Sequence, residues 1–116
     1  MGTRVMYLLL RKDLETVLKW PIGALCTQAA HAATAVLWTY KDDPDVIEYM
    51  KDMDNMHKIT LAVDDEGTLK DLAGRLDEAN IQHKVWIEDN MPVCIAIKPQ
   101  PRAPLKAILG RLQLYK

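Results

Sequence analysis

Two polar side chains in an otherwise smooth apolar stretch set the chemical question. Residues 23–38 read GALCTQAAHAATAVLW, with Gln28 and His31 three apart among alanines. At helical spacing the two share a face. An amide both donates and accepts hydrogen bonds, and an imidazole changes charge near neutral pH, so the pair can bind a substrate or move a proton. Two readings are open. If the face packs against a sheet, both groups need partners, because an unpaired buried amide costs about 1–3 kcal/mol. The pair is then a hydrogen-bonded feature of the helix–sheet interface. If the face lies near an open helix start, free N–H groups there bind an anion such as phosphate, and Gln28 and His31 serve that site.

Other chemistries find less in the chain. His31, His57 and His83 are far apart, and neither C-x-x-C nor H-E-x-x-H occurs, so no metal and no cofactor is expected. DMDN at 52–55 lacks the glycine and glutamate of a calcium loop. The absence of serine excludes a serine triad. Cys26 and His31 would stand about 140° apart around a helix, a poor dyad. Met50, Met53 and Met56 offer a partner surface or simple packing. Arg102, Lys106, Arg111 and Lys116 make the C-terminal segment locally basic, a weak RNA footprint.

The elements that must position these residues follow from local signals. Val5–Leu10 is a continuous apolar run, suited to a central strand buried on both faces. Pro21 opens a helix over about 21–40, whose alanines let its backbone lie close to the sheet. Asp43-Pro44 reads as an N-cap with proline at the first helical position, followed by a short helix. Lys58–Val63 is a β-branched strand. Asp64, Asp65 and Glu66 place negative charge at the start of a third helix, and Asn80 stops it. His83–Ile87 and Val93–Ile97 are expected to pair as a hairpin across the five-residue link EDNMP. Leu105–Leu112 makes a last helix after Pro99, Pro101 and Pro104. The order is β-α-α-β-α-β-β-α over one domain, residues 1–116. The expected fold is α/β, three layers α/β/α around a mixed four-stranded sheet. Its strand–helix–strand crossovers should give parallel pairs, and the hairpin one antiparallel strand.

Composition sets outer bounds. Apolar residues make up 49% and charged residues 27%, with a net charge of −1, so no global basic field advertises nucleic-acid binding. No apolar run reaches the roughly 18 residues of a membrane span. Charge returns directly after the N-terminal apolar stretch, which reads as a strand and not as a signal peptide. Cys26 and Cys94 lie in apolar runs and read as buried, reduced thiols of a cytoplasmic protein.

Several stretches together resemble one family. The first strand leads into Arg11-Lys12-Asp13-Leu14, and Gly23 leads through Gln28-Ala29-Ala30-His31-Ala32-Ala33. These are similar to R-x-D-L and G-x-[apolar]-x-x-Q-x-x-H-A-A of the archaeal and eukaryotic (type 2) peptidyl-tRNA hydrolases. HKITLAVDDEGTLKDLAGRLDEANI resembles that family's strand, D-E-x-x-L and helix, and CIAIKP resembles its last strand. The resemblance runs from about Arg4 to the C-terminus and looks closest to a divergent eukaryotic subgroup, the peptidyl-tRNA hydrolase domain-containing proteins.

The resemblance implies an esterase that frees peptide from the 3′ ribose of tRNA, with tRNA or peptidyl-tRNA as partner, neither DNA nor membrane, and a homodimer as the family's suggestion. The departures are specific. The family's second helix-start lysine falls on Ala24, a few extra residues precede the helix, and the D-A-G-R-T-Q loop is shortened. Asp89, with Glu88 beside it, stands at the family's aspartate. Ester hydrolysis needs a donor or cation for the oxyanion and an activated water. The residues expected to supply the chemistry are His31, Asp89 and Lys19. Arg11, Lys12, Asp13, Gly23 and Gln28 are expected to bind substrate. The alternative is a catalytically inactive member that binds RNA or protein.

Overall fold

The structure, a computed structural model, describes residues 3–116. Its centre is β1 (Arg4–Arg11), whose apolar run is buried on both faces. Met6, Leu8 and Leu10 enter one core, and Leu9 enters the other. The chain then makes a single helical turn, α1 (Asp13–Thr16), and a short loop into α2 (Ile22–Thr39). Leu25, Ala32, Ala33 and Val36 bury the α2 face against β1, β3 and β4. The expected N-cap at Asp43 is present: its carboxylate accepts the Asp45 N–H at 2.8 Å, with Pro44 opening α3 (Pro44–Lys51).

β2 spans Lys58–Val63. Asp65 caps α4 (Glu66–Glu78) by accepting the Thr68 N–H at 2.9 Å. Asn80, with φ 57°, then turns the chain. β3 (His83–Glu88) and β4 (Met91–Ile97) form the hairpin. The two cores lie on opposite faces of the sheet. The α2 and α3 side holds Leu14, Val36 and Tyr49, while the α4 side holds Leu69, Leu72, Leu76 and Leu109. The α/β/α layering is therefore the one expected.

The strand order is β2-β1-β4-β3. β1 and β2 are parallel, and β1–β4 and β3–β4 are antiparallel. Only one crossover thus produces a neighbouring parallel pair. The connection through α4 carries the chain to the far edge, because β4 fits between β1 and β3. The apolar, largely buried β4 sequence agrees with an inner strand, but it does not say which strands flank it.

Four further expectations are corrected. The hairpin link is two residues, Asp89 and Asn90, with φ 51° and 62°. Left-handed backbone at both positions matches the twist of paired strands, and Asp and Asn tolerate it. A fifth, two-residue strand, β5 (Gln100–Pro101), pairs with the start of β1. The last helix shrinks to a 3₁₀ turn at Ala103–Leu105 and α5 (Lys106–Leu109). Beyond it the chain returns to the β2 edge: Gln113 C=O accepts from Ala62 N–H at 2.8 Å, and Tyr115 N–H donates to Thr60 C=O at 3.0 Å. Cys94 is buried, and burial pushes its thiol up to about 12, but Cys26 is exposed on α2.

Candidate functional site

The carboxyl ends of β1, β2 and β3 point to one end of the sheet, and α2 and α4 both start there. Such an end gathers helix N-termini and loops and is the usual place for a ligand. The two helix starts differ. Asp65 caps α4, but α2 begins at Pro21 with no side chain capping it. Ala24 and Leu25 already donate to Pro21 C=O, at 3.0 and 3.3 Å. The N–H groups of Ile22 and Gly23 precede these bonds and carry the positive end of the helix dipole. A Cβ on Gly23 would meet no atom within 4 Å, so packing does not require the glycine and the backbone there is bare. Lys19 lies in the loop leading into this start, exposed, with φ 60°.

Arg11, Lys12 and Asp13 are brought together, but mostly with one another. Arg11 is buried. It donates Nε and Nη2 to the two Asp13 oxygens, each at 2.9 Å, and Nη1 to Pro92 C=O at 3.0 Å. Glu66 Oε1 stands 3.6 Å from Nη1. The hydrogen bond to Asp13 leads in raising the Arg11 pKa above its ordinary value, against the cost of burial. Arg11 therefore ties β1 to α1, to the start of α4 and to β4 just past the hairpin turn. Lys12 Nζ pairs with Glu15 at 2.8 Å and lies 4.3 Å from the Tyr115 ring centroid. Tyr115 Oη donates to the same Glu15 oxygen at 3.1 Å. The Lys12 and Tyr115 bonds hold Glu15 below the usual carboxylate range. Burial, then Glu15, pushes the Tyr115 phenol up to about 12.

Gln28 and His31 part company. Gln28 is 5% exposed, and its Oε1 is buried without a hydrogen-bond donor among the described residues. An orphaned acceptor of this kind costs about 1–3 kcal/mol. The interface reading, in which the protein itself satisfies the pair, does not describe this amide. His31 is exposed, and its ring stacks on Trp86 with centroids 4.6 Å apart and planes inclined by 25°. Trp86 Nε1 in turn donates to Glu88 Oε1 at 3.1 Å. Nine residues of helix separate His31 from Ile22, roughly 13 Å along the axis. The structure thus places His31 along the side of α2, against β3, and not at the helix start. Asp89 is exposed at the hairpin tip, at the same end of the sheet as the α2 start.

Reading the sequence misses Trp86, Glu66 and Tyr115. The acidic run at 64–66 gave a hint of Glu66 as a helix-start charge. Trp86 had no local signal, because its partner is 55 residues away in the chain. Among the described residues no group of three or more His, Cys, Asp or Glu side chains could hold a metal ion, and no helix is long and apolar enough to cross a membrane.

An α/β sheet with a bare helix start, an unsatisfied amide and an acidic hairpin tip at one end is the frame of a ligand-binding or hydrolytic domain. The chain belongs to the PTH2 family, the peptidyl-tRNA hydrolases, whose model matches residues 4–115. A Homo sapiens protein named "Putative peptidyl-tRNA hydrolase PTRHD1" is 44% identical over 115 residues, covering 97% of this chain and 82% of the relative. A Mus musculus protein of the same name is 43% identical over the same span.

Proposed function

We propose that this protein hydrolyses the ester between a peptide and the 3′ ribose of tRNA, in the cytoplasm. The observation that carries the reading is the uncapped α2 start beside the buried, unsatisfied Gln28, in a chain of this family. A water attacks the ester carbonyl, and the developing oxyanion needs donors that are already in place. The N–H groups of Ile22 and Gly23 supply these, and Lys19 supplies the cation that Ala24 lacks. Asp89 orients the attacking water and takes its proton. The ester C–O bond then breaks as Asp89 returns that proton to the departing 3′ oxygen, and the freed peptide acid ionises to its carboxylate. Gln28 Oε1 is covered in the free protein and accepts from a ribose hydroxyl only once the side chains over it move aside. His31 lies further along the helix and holds the substrate by contact. Arg11 and Asp13 support the site from beneath, and Lys12 lies at its rim.

A second reading has its own support. Arg11 and Lys12 are engaged by Asp13 and Glu15, and the family lysine is replaced by Ala24, which leaves a site short of free cations. On that reading the protein binds tRNA or a protein partner without turnover.

The test is release of labelled peptide from peptidyl-tRNA by the wild type, Asp89→Asn and His31→Ala. Asp89→Asn should lower kcat about 100-fold or more, the range for a general base, while His31→Ala should raise KM more than it lowers kcat. Turnover equal in all three proteins would overturn the site. No turnover, together with tRNA binding that weakens steeply with salt, would establish the binding module.

A further inference from the structure

Trp86 and His31 form an aromatic plate that takes no part in making or breaking the ester bond, and the part of the substrate that His31 holds is still to be assigned. We infer that this plate is the binding subsite for the 3′-terminal nucleobase of an RNA, with Lys84 holding the phosphate on its 5′ side. The inference rests on the hydrolase reading for the identity of the RNA, but not for the subsite itself.

Three observations place the ligand. The first is the stack, 4.6 Å between centroids, with the imidazole on the solvent side. Trp86 is fixed from below by its packing on the α2-side core and from its edge by Glu88 Oε1 at 3.1 Å. A held aromatic face with an exposed stacking partner is what unpaired bases add to, whatever their identity. The second is where the plate lies. α2 carries in order the bare helix start, then Gln28, then His31. A nucleotide with its base on His31 and Trp86 has its ribose over the turn of α2 that carries Gln28 and its 3′ oxygen toward the helix start. The third is charge. Strand alternation puts Lys84, Trp86 and Glu88 on one face of β3, about 6.6 Å apart in sequence along the strand. Glu88 and Asp89 lie toward the reacting end and repel a phosphate. Lys84 is exposed on the other side of Trp86 and attracts one. The acidic end therefore receives the uncharged ester, and the 5′-phosphate runs back along the β3 edge.

The experiment uses the whole protein and free nucleotides, so it does not depend on turnover. Binding of adenosine 5′-monophosphate is measured by calorimetry and by NMR of the adenine protons, with ribose 5-phosphate as control. The adenine protons should move upfield, and ribose 5-phosphate should bind at least tenfold more weakly. Trp86→Leu keeps an apolar side chain in the core but removes the aromatic face. It should weaken binding about 5- to 150-fold, the span seen for lost base stacking. Trp86→Phe should restore most of that. Lys84→Glu should weaken the nucleotide and leave adenosine unaffected. No detectable binding by the wild type, equal affinity for ribose 5-phosphate, or unchanged affinity in Trp86→Leu would each overturn the subsite. Loss of turnover with nucleotide binding intact would overturn the hydrolase reading alone.

Discussion

The two ends of the sheet treat their polar groups in opposite ways. Where β1 begins, Lys98 Nζ reaches Asp43 at 2.9 Å and Asp45 at 3.8 Å, and Arg4 Nε reaches Asp45 at 2.7 Å. Asp43 also caps α3, so one carboxylate serves a buried ammonium and a helix start together. Where β1 finishes, α2 starts without a cap, Gln28 keeps a buried oxygen without a donor, and Lys19, Asp89 and Asn90 hold left-handed backbone. Left-handed backbone alone does not set this end apart, since Asn80 after α4 has it too, but uncapped and unsatisfied groups gather where a fold gives up stability for binding. The contrast supports the proposal that the end where β1 finishes is the site and the other end the scaffold.

The sharpest way to break the comparison is at the scaffold end. Asp43→Ala removes the cap and leaves Lys98 without its nearest partner, and should cost about 3 kcal/mol in denaturant unfolding while peptide release per folded molecule stays unchanged. Burial works against the Asp43 carboxylate, but Lys98 and the N–H groups of Asp45 and Val46 outweigh it, so its pKa lies below the usual value. A depressed carboxylate gives its full stabilisation above the ordinary value of 3.8 and loses it as pH falls through the folded value. The gap between wild type and Asp43→Ala should therefore persist from neutral pH down to that region and narrow below it. A gap that narrowed between pH 8 and 6 would point to another group.

At the site end, Asn90→Val puts a β-branched residue into left-handed backbone and should cost about 1–2 kcal/mol, whereas Asn90→Gly should be nearly neutral. Equal losses in the two variants would mean that the Asn90 side chain, and not its backbone, holds the turn. The smallest effect sharpens the contrast most. Gln28→Leu removes the orphaned amide and should raise stability by about 1 kcal/mol while lowering peptide release. A loss of stability instead would show that the amide is satisfied by a buried water, and the two ends would then differ less than their contacts indicate.

Much of the scaffold was legible because its signals are local. Asp43-Pro44, the acidic residues before α4, Asn80 and the β1 apolar run each act within a few residues, and each formed the element it indicated. Strand order was not legible, since β4 enters between β1 and β3 through contacts far apart in the chain. Pro92 and the polar residues before it made the hairpin link look longer than two residues. In the site, the shared face of Gln28 and His31 follows from spacing, but spacing does not say that one is buried and the other lies on Trp86. Arg11 is expected from the resemblance to bind substrate. Only the fold shows that Asp13, Pro92 and Glu66 surround it.

The central position of β1 has a consequence for how the protein is made. Its partners are residues 58–63 on one side, and 94–96 and 100–101 on the other. A ribosome adding about 5–20 residues per second produces β1 roughly five to twenty seconds before the second set exists. Until residues 58–63 are made the apolar run has two open hydrogen-bonding edges, and one edge stays open until residues 94–101 follow. The sheet closes around the strand that was synthesised first only when β4 emerges.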